Sequence, residues 1–265
     1  MNPVEVTRGN GPIVLGLPHT GTHVDAAIGV LLNRNGRQLA DADWHIDRLY
    51  SGLRTDVTTV RATFHRYVID ANRDPEGQSL YPGQNTTGLV PATDFDGHPI
   101  WDRPITDAET QGRLAQYHAP YHSALQAEME RVRARHGVAI LFDAHSIRSQ
   151  IPFLFKGILP DLNLGTNDGT SCDATLSQAV ATAIKAPGYS SVVDGRFKGG
   201  WSTRHYGRPR EGWHALQMEI AQSAYLEAEA PPWRYDSEKA GRLRPILADC
   251  MNNINDSATT LKVTS

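Results

Sequence analysis

The sequence holds only two cysteines, Cys172 and Cys250, far apart in the chain. They form neither a disulfide framework nor a metal-type spacing, a usage that suits a reducing compartment and predicts a cytoplasmic protein. Long apolar runs are also missing. The longest are of the length of Val138-Ala-Ile-Leu-Phe142, whereas a membrane-spanning helix needs about 20 apolar residues. No basic segment followed by an apolar stretch opens the chain, which argues against export by that route. There is no surplus of positive charge: 26 Lys and Arg stand against 29 Asp and Glu, a formal net charge of -3. No global field therefore recruits nucleic acid or anionic lipid. Three chemical signatures are absent as well. Without a Gly-x-Ser-x-Gly elbow, nothing suggests a serine hydrolase, and neither a P-loop nor a dinucleotide fingerprint occurs. The expected partner is a small molecule.

What is present is an ordinary globular balance, 40% hydrophobic and 21% charged over 265 residues. Such a chain can bury a core and is not of the disordered class. Glycine (23) and proline (16) make up about 15% of it, above an average of roughly 12%. They lie among polar residues between apolar runs, which predicts long ordered loops, the usual carriers of function on a rigid scaffold.

Apolar runs at Ile13 to Leu17, Val138 to Phe142 and His214 to Ile220 read as buried strands, and Val57 to Ile69 as a longer, bent one. Asp41 to Leu53 fits a short helix with Asp41 as N-cap. Pro120 opens the clearest helix, with Tyr121, Leu125, Met129 and Val132 at three- and four-residue intervals and Gly137 as its stop. Further helices are expected over Asp173 to Lys185, briefly after Ala221, and from Ser237 to about Thr260. Loops fill residues 72–107 and 147–171, and Gly195 to Gly212 is a basic, glycine-rich loop. No repeat or linker divides the chain, so residues 1–265 are expected to form a single α/β layered domain with a mixed, mostly parallel sheet. Ligands of such sheets bind outside the carboxyl ends of the strands. His19, Asn72-Arg73, His145 and Glu219 all fall at or just past expected strand ends.

These residues suit metal-assisted chemistry. His19 and His145 each follow an apolar strand, and two imidazoles meeting at one sheet edge are common zinc ligands; a hydrogen-bonded core histidine explains each one singly just as well. Asp143 precedes His145 by two, so both side chains can point the same way and the carboxylate can orient an imidazole. Asp43 and Asp47 would share a helix face. Capping accounts for such acids, and a ligand carboxylate for the same metal is the other reading. Arg66 and Arg73, with Asn72 between them, offer planar donors for an anionic substrate and its carbonyl. The loop with Arg196, Lys198, Thr203 and Arg204 reads as a carboxylate-binding lid. Glu219, inside the apolar run Leu216 to Ile220, is the kind of carboxylate that proton transfer needs. His118 and His122, four apart around Pro120, read as substrate-loop or capping residues.

Taken together, the segments Pro18-His19-Thr20-Gly21, Asp41 to Tyr50, Arg66 to Arg73, Tyr81-Pro82-Gly83-Gln84, Thr87-Gly88-Leu89, Asp143 to Ser149, Asp161 to Asn167, Gly195 to Gly200, Thr203 to Gly207 and Gln217-Met218-Glu219 resemble the N-formylglutamate amidohydrolase family. The likeness spans most of the chain; only the last thirty-odd residues lack such a motif. The family consists of deformylases that end one route of histidine degradation, and it looks related to zinc carboxypeptidases and aspartoacylases. The resemblance implies their three-layer α/β/α fold with a mixed, mostly parallel sheet, long ordered loops over the active site, and one Zn2+ per chain. By motif, His19 and His145 would be zinc ligands, Arg66, Asn72 and Arg73 substrate groups, and Glu219 the base. The relatives' His-x-x-Glu is broken by Thr22, so the third ligand must come from elsewhere; Asp43 is favoured, ahead of Asp47, His23 and Asp25. The implied reaction is hydrolysis of N-formyl-L-glutamate to formate and L-glutamate. Arg66 would stabilise the oxyanion, and Asn72, Arg73, Arg196, Lys198, Thr203 and Arg204 would hold the substrate. Another N-acyl-amino-acid amidohydrolase or carboxypeptidase-like hydrolase on this fold, and a non-catalytic carboxylate-binding protein, are the alternatives.

Overall fold

The computed structural model describes residues 1–79, 83 and 85–261. Apart from Gly83, the Tyr81-Pro82-Gly83-Gln84 segment lies outside them. Seven strands are described: β1 (Val4–Thr7), β2 (Ile13–Leu17), β3 (Thr58–Ala62), β4 (Ala139–Ile147), β5 (Leu162–Gly165), β6 (Ser191–Val193) and β7 (Trp213–Ala221). They form one sheet in the order β1-β3-β2-β4-β7-β5-β6. β1 with β3 and β5 with β7 are antiparallel, and the remaining pairs are parallel. The helices are α1 (Ala26–Gly29), α2 (Ile46–Tyr50), α3 (Asp107–Arg113), α4 (Ala119–His136), α5 (Ala174–Ala183), α6 (Trp201–Tyr206) and α7 (Ser237–Ala258). Among the described residues no helix is long and apolar enough to cross a membrane.

The central strands are apolar on both faces because both are covered. Val14, Leu141 and Ala215 pack under Tyr121, Leu125, Met129 and Val132 of α4, the residues whose spacing marked that helix. Their neighbours Ile13, Leu15, Ile140, Phe142 and Leu216 face the other way, against Leu176 and Val180 of α5 and Leu243, Leu247 and Ile254 of α7. This period-2 division of a continuous apolar run makes the three layers. Each fully buried side chain of this size contributes about 1.5–3 kcal/mol.

Several expected elements have different bounds. The helix expected from Asp41 shrinks to α2, and His45 before it has φ 59°, so Asp41 and Asp43 lie in turns and share no helix face with Asp47. Asp41 accepts from Tyr67 and the Phe95 amide in place of capping. The bent strand ends at Ala62, and residues beyond it leave the sheet in turns after an isolated bridge between His23 and Phe64. β4 runs five residues past Phe142, carrying Asp143 and His145 inside the sheet. The glycine-rich loop contains α6, and the helix opened by Pro120 is preceded by α3 and five residues, Leu114–His118, wound as π-helix. β1, β5 and β6 are too short or too exposed for their alternation to stand out.

Gly21 shows why the turn after β2 needs its sequence. A Cβ there would sit 2.3 Å from the Thr63 carbonyl carbon and 2.5 Å from Phe64 O, both backbone atoms. Gly21→Ala is therefore expected to cost about 1–3 kcal/mol. Urea titration should give a lower midpoint at unchanged slope.

Candidate active site

The parallel pairing of β4 with β7 sets Asp143 opposite Gln217 and His145 opposite Glu219. All four side chains lie on one face, because alternate residues of a strand share a face. His19 follows the end of β2, the neighbour of β4 on its other side. The Asp43 amide donates to His19 O at 3.0 Å, which draws the turn before α2 over the same strand ends. The Arg66 to Arg73 segment closes the group in a series of turns.

His19, Asp43 and His145 are buried, and one ligand atom from each lies within 4.8 Å of the others. His19 Nδ1 and His145 Nδ1 are 3.2 Å apart; Asp43 Oδ2 is 3.1 Å from the second and 3.6 Å from the first. The far nitrogens are already engaged. His19 Nε2 is 2.6 Å from Asp70 Oδ1, and His145 Nε2 is 3.0 Å from Asp143 Oδ2. Carboxylates at Nε2 fix the proton there and turn both Nδ1 lone pairs toward Asp43, the orientation that outer carboxylates give metal-binding imidazoles. Asp43 Oδ1 is buried without a hydrogen-bond partner. Three electron-pair donors aimed at one point repel each other unless a proton or cation lies between them. Burial pushes the His145 imidazolium down, but Asp143 and Asp43 hold it well above its ordinary value. Burial likewise pushes Asp43 up, while His19 and His145 pull it well below the usual carboxylate range. A His-His-Asp donor set of this kind fits a divalent metal with a position left open.

Arg66 lies beside this group. Its Nη2 donates to Asp70 Oδ2 at 2.7 Å, and its Nη1 is 3.7 Å from Asp43 Oδ1. Burial opposes its charge, but Asp70 and Asp43 hold it cationic. Asp70 would be raised by burial, yet Arg66, Arg73 and His19 bring it well below the usual range. No cation forms an ion pair with Glu219 among the described residues, although Arg66 and His145 lower its carboxyl from a distance. Burial pushes its carboxyl up to about 8, opposed by His145 and reinforced by Asp43 and Asp143. Its Oε2 accepts from Gln217 Nε2 at 3.1 Å, and Gln217 Oε1 accepts from the Gly200 amide at 2.7 Å.

These groups floor a cavity of about 60 Å3 whose walls include Asn72, Arg73, Thr87, Phe95, Arg196 and Phe197. Three guanidinium groups, those of Arg66, Arg73 and Arg196, belong to its lining. Arg73 is braced by Thr87 O and Oγ1 and by Asn72 O. Asn72 Oδ1 accepts from the Ser202 amide, and its Nδ2 lies 3.3 Å from Asp143 Oδ2, side by side with His145 Nε2 at that oxygen. Lys198, Thr203 and Arg204 are not among the described residues that line the cavity. Lys198 pairs with the exposed Asp168, Arg204 donates to Gly199 O, and Thr203 is buried against Gly199. Asp47, His23 and Asp25 lie outside the group as well. Asp47 accepts from the Arg48 amide and borders a different groove, and His23 pairs with Asp25, which also binds Tyr117.

A second group, Asp94, Asp96 and His98, also brings ligand atoms close. Asp94 Oδ1, however, accepts from the amides of Asp96 and His98 and so closes a tight turn. Sequence reading assigned no role to Gln217 or to Asp70 as partner of His19. The two-residue spacing of Gln217 and Glu219 was a usable signal for the first. The second has none, since 51 residues separate Asp70 from His19.

Residues 11–226 match the model of the N-formylglutamate amidohydrolase family. A protein from Pseudomonas aeruginosa named N-formylglutamate deformylase is 43% identical over 251 residues, 93% of this chain and 94% of its own length. Another of that name from Pseudomonas putida is 43% identical over 244 residues, 91% of each chain. The crystal structure of an N-formylglutamate amidohydrolase from Ralstonia eutropha matches with a TM-score of 0.80 at 28% identity, covering 98% of both chains. A match over this much of the chain, joined to the geometry above, makes this protein a member of the N-formylglutamate amidohydrolase family.

Proposed function

We propose that this chain, as one domain, hydrolyses N-formyl-L-glutamate to formate and L-glutamate with one zinc ion held by His19, Asp43 and His145. The observation that carries the reading is the convergence of those three ligand atoms beside the buried Glu219 at the floor of a cavity lined by Arg66, Arg73 and Arg196. Zinc bound there supplies a Lewis acid that makes water a nucleophile at neutral pH and polarises a carbonyl.

The chain's own residues do the rest. Glu219 takes a proton from the attacking water as its oxygen bonds to the formyl carbon, and gives one to the amide nitrogen as the C–N bond breaks. Arg66, fixed by Asp70, faces the oxygen on which negative charge develops. Asn72 and Arg73 receive one substrate carboxylate and Arg196 the other. Lys198, Thr203 and Arg204 serve substrate binding through the loop that carries Arg196. The reaction would stand at the end of histidine breakdown, as the family resemblance implies, and the two buried free cysteines suit the cytoplasm.

The purified protein should release formate from N-formylglutamate, and chelation should abolish the release. His19→Ala, His145→Ala and Asp43→Ala should each lose stoichiometric zinc while staying folded, and Asp47→Ala should keep it. Full zinc content in any of the first three, measured by elemental analysis, removes that residue from the site.

Glu219→Gln keeps shape but cannot accept the proton. It should bind zinc and lose about 10²–10⁴-fold in kcat. The base works as carboxylate, so kcat/KM should rise with pH as Glu219 loses its proton. Burial in the protein alone raises the carboxyl to about 8; a zinc ion bound beside it would lower it from there, which puts this limb between the usual carboxylate range and 8. The residual rate of Glu219→Gln should lack the limb. Wild-type kcat in that variant, or an unchanged limb, assigns the proton transfer to another group.

A further inference from the structure

Two buried histidines one helical turn apart, His118 and His122, lie outside the chemistry described above. Both rings nevertheless end on the chain that carries it. His122 Nε2 is 2.7 Å from Ala71 O, and His118 Nε2 is 3.0 Å from Arg73 O. The two carbonyls flank Asn72. Ala71 O can only accept, so His122 Nε2 carries the proton, and Nδ1 faces the Tyr206 hydroxyl at 3.1 Å. Burial pushes both imidazoles below their ordinary value, which keeps them neutral and leaves Nδ1 its lone pair. Trp201 packs on both rings, with centroids 4.6 and 5.8 Å away.

The backbone around the pair is specialised. Residues Leu114–His118 are wound as π-helix directly before α4, a local widening that recurs at functional sites. His118 closes it, and His122 follows at the four-residue interval that puts both rings on one face. The rest of the 71–73 tripeptide is also tied down. The Asn72 amide donates to Asp70 Oδ1, the Arg73 amide to Asp70 O, and the Ser202 amide to Asn72 Oδ1. The Ala71 and Arg73 carbonyls are the points where α4 and the π-helical turn before it take hold.

We propose that His118 and His122 are positioning residues for substrate: by holding the two carbonyls on either side of Asn72, they fix the Asn72 amide and the Arg73 guanidinium in the geometry that receives a substrate carboxylate. This rests on the reading that Asn72 and Arg73 bind that carboxylate. Without the imidazole donors, the buried Ala71 carbonyl and the part-buried Arg73 carbonyl lose these partners, and the segment shifts to find others. A carboxylate contact made equally in ground and transition state should then weaken, which raises KM more than it lowers kcat.

The test uses zinc-loaded enzyme and N-formylglutamate. His118→Phe and His122→Phe keep a ring without the N–H; His118→Gln and His122→Gln return a donor. Each Phe variant should raise KM roughly tenfold, the effect of one lost hydrogen bond, with kcat changed by less than about threefold. Zinc content should stay at the wild-type level, and the Gln variants should recover most of the KM. Arg73→Ala is measured alongside. If it raises KM while both Phe variants keep the wild-type value, the positioning role is overturned. A Phe variant that loses kcat and zinc together at unchanged KM, or a Gln variant that recovers nothing, overturns it as well. If Arg73→Ala leaves KM unchanged, the carboxylate reading of Arg73 falls and the clamp with it, a pattern distinct from the others. Should His122→Phe fail to fold, His118→Phe and its Gln counterpart decide the matter.

Discussion

The parallel pairing of β4 with β7 is the constraint on which the site depends. It holds over nine residues, Ala139 with Trp213 through Ile147 with Ala221. Strand alternation converts this one register into a chemical arrangement. Leu141 and Ala215 anchor the face under α4, and two and four residues further along the same face come Asp143 and His145, Gln217 and Glu219. A slip of one residue in either strand would send its polar pair to the opposite face, against the apolar residues of α5 and α7. Both strands are buried along their whole length, so such a slip would strand charged groups in a hydrocarbon layer. The apolar halves of β4 and β7 thus specify the positions of their polar halves.

Around that register the buried charges form a closed set. Asp70 takes His19 and Arg66, Asp143 takes His145 and Asn72, and Asp43 faces both imidazoles. Breaking a buried pair by removing one partner costs about 3–5 kcal/mol. An exposed pair such as Lys198 with Asp168 is worth roughly 0.2–1 kcal/mol. The difference decides which ion pairs matter for the architecture. The inner set fixes orientation, and the outer pairs ornament the loops. Glu219 stands apart within this set because burial outweighs the lowering by His145 and Arg66 and pushes its carboxyl up to about 8.

The loops complete the cavity by linking distant parts of the sheet edge. Gly200 is the junction. Its amide donates to Gln217, which in turn donates to Glu219, and a Cβ there would sit 2.3 Å from Asn72 Nδ2. The loop with Arg196, the segment with Asn72 and the strand with Glu219 thus meet at a residue with no side chain. Through Gly200 and Gln217 the cavity wall and the Glu219 carboxyl are parts of one hydrogen-bonded unit.

Much of this was legible in the sequence. The apolar runs of β2, β4 and β7 and the three- and four-residue spacing in α4 gave the layers, because period and burial are local properties of the chain. His19, His145, Arg66, Asn72, Arg73 and Glu219 stood out through their motifs and through the rule that ligands gather at strand ends. The third member of the donor cluster, Asp43, was favoured over Asp47, His23 and Asp25, but the letters alone left those open, and it is the turn replacing the expected helix that turns Asp43 inward and Asp47 outward. The pairing of Asp70 with His19 and the placement of Lys198 and Arg204 away from the cavity wall were equally invisible. Sequence alone determined which residue types the chain offers and which faces it buries, since those follow from neighbours three or four positions away. Tertiary structure alone decided which atoms meet, since a side chain's direction out of a turn is set by hydrogen bonds such as that from the Asp43 amide to His19 O, made across a fold that no local pattern encodes.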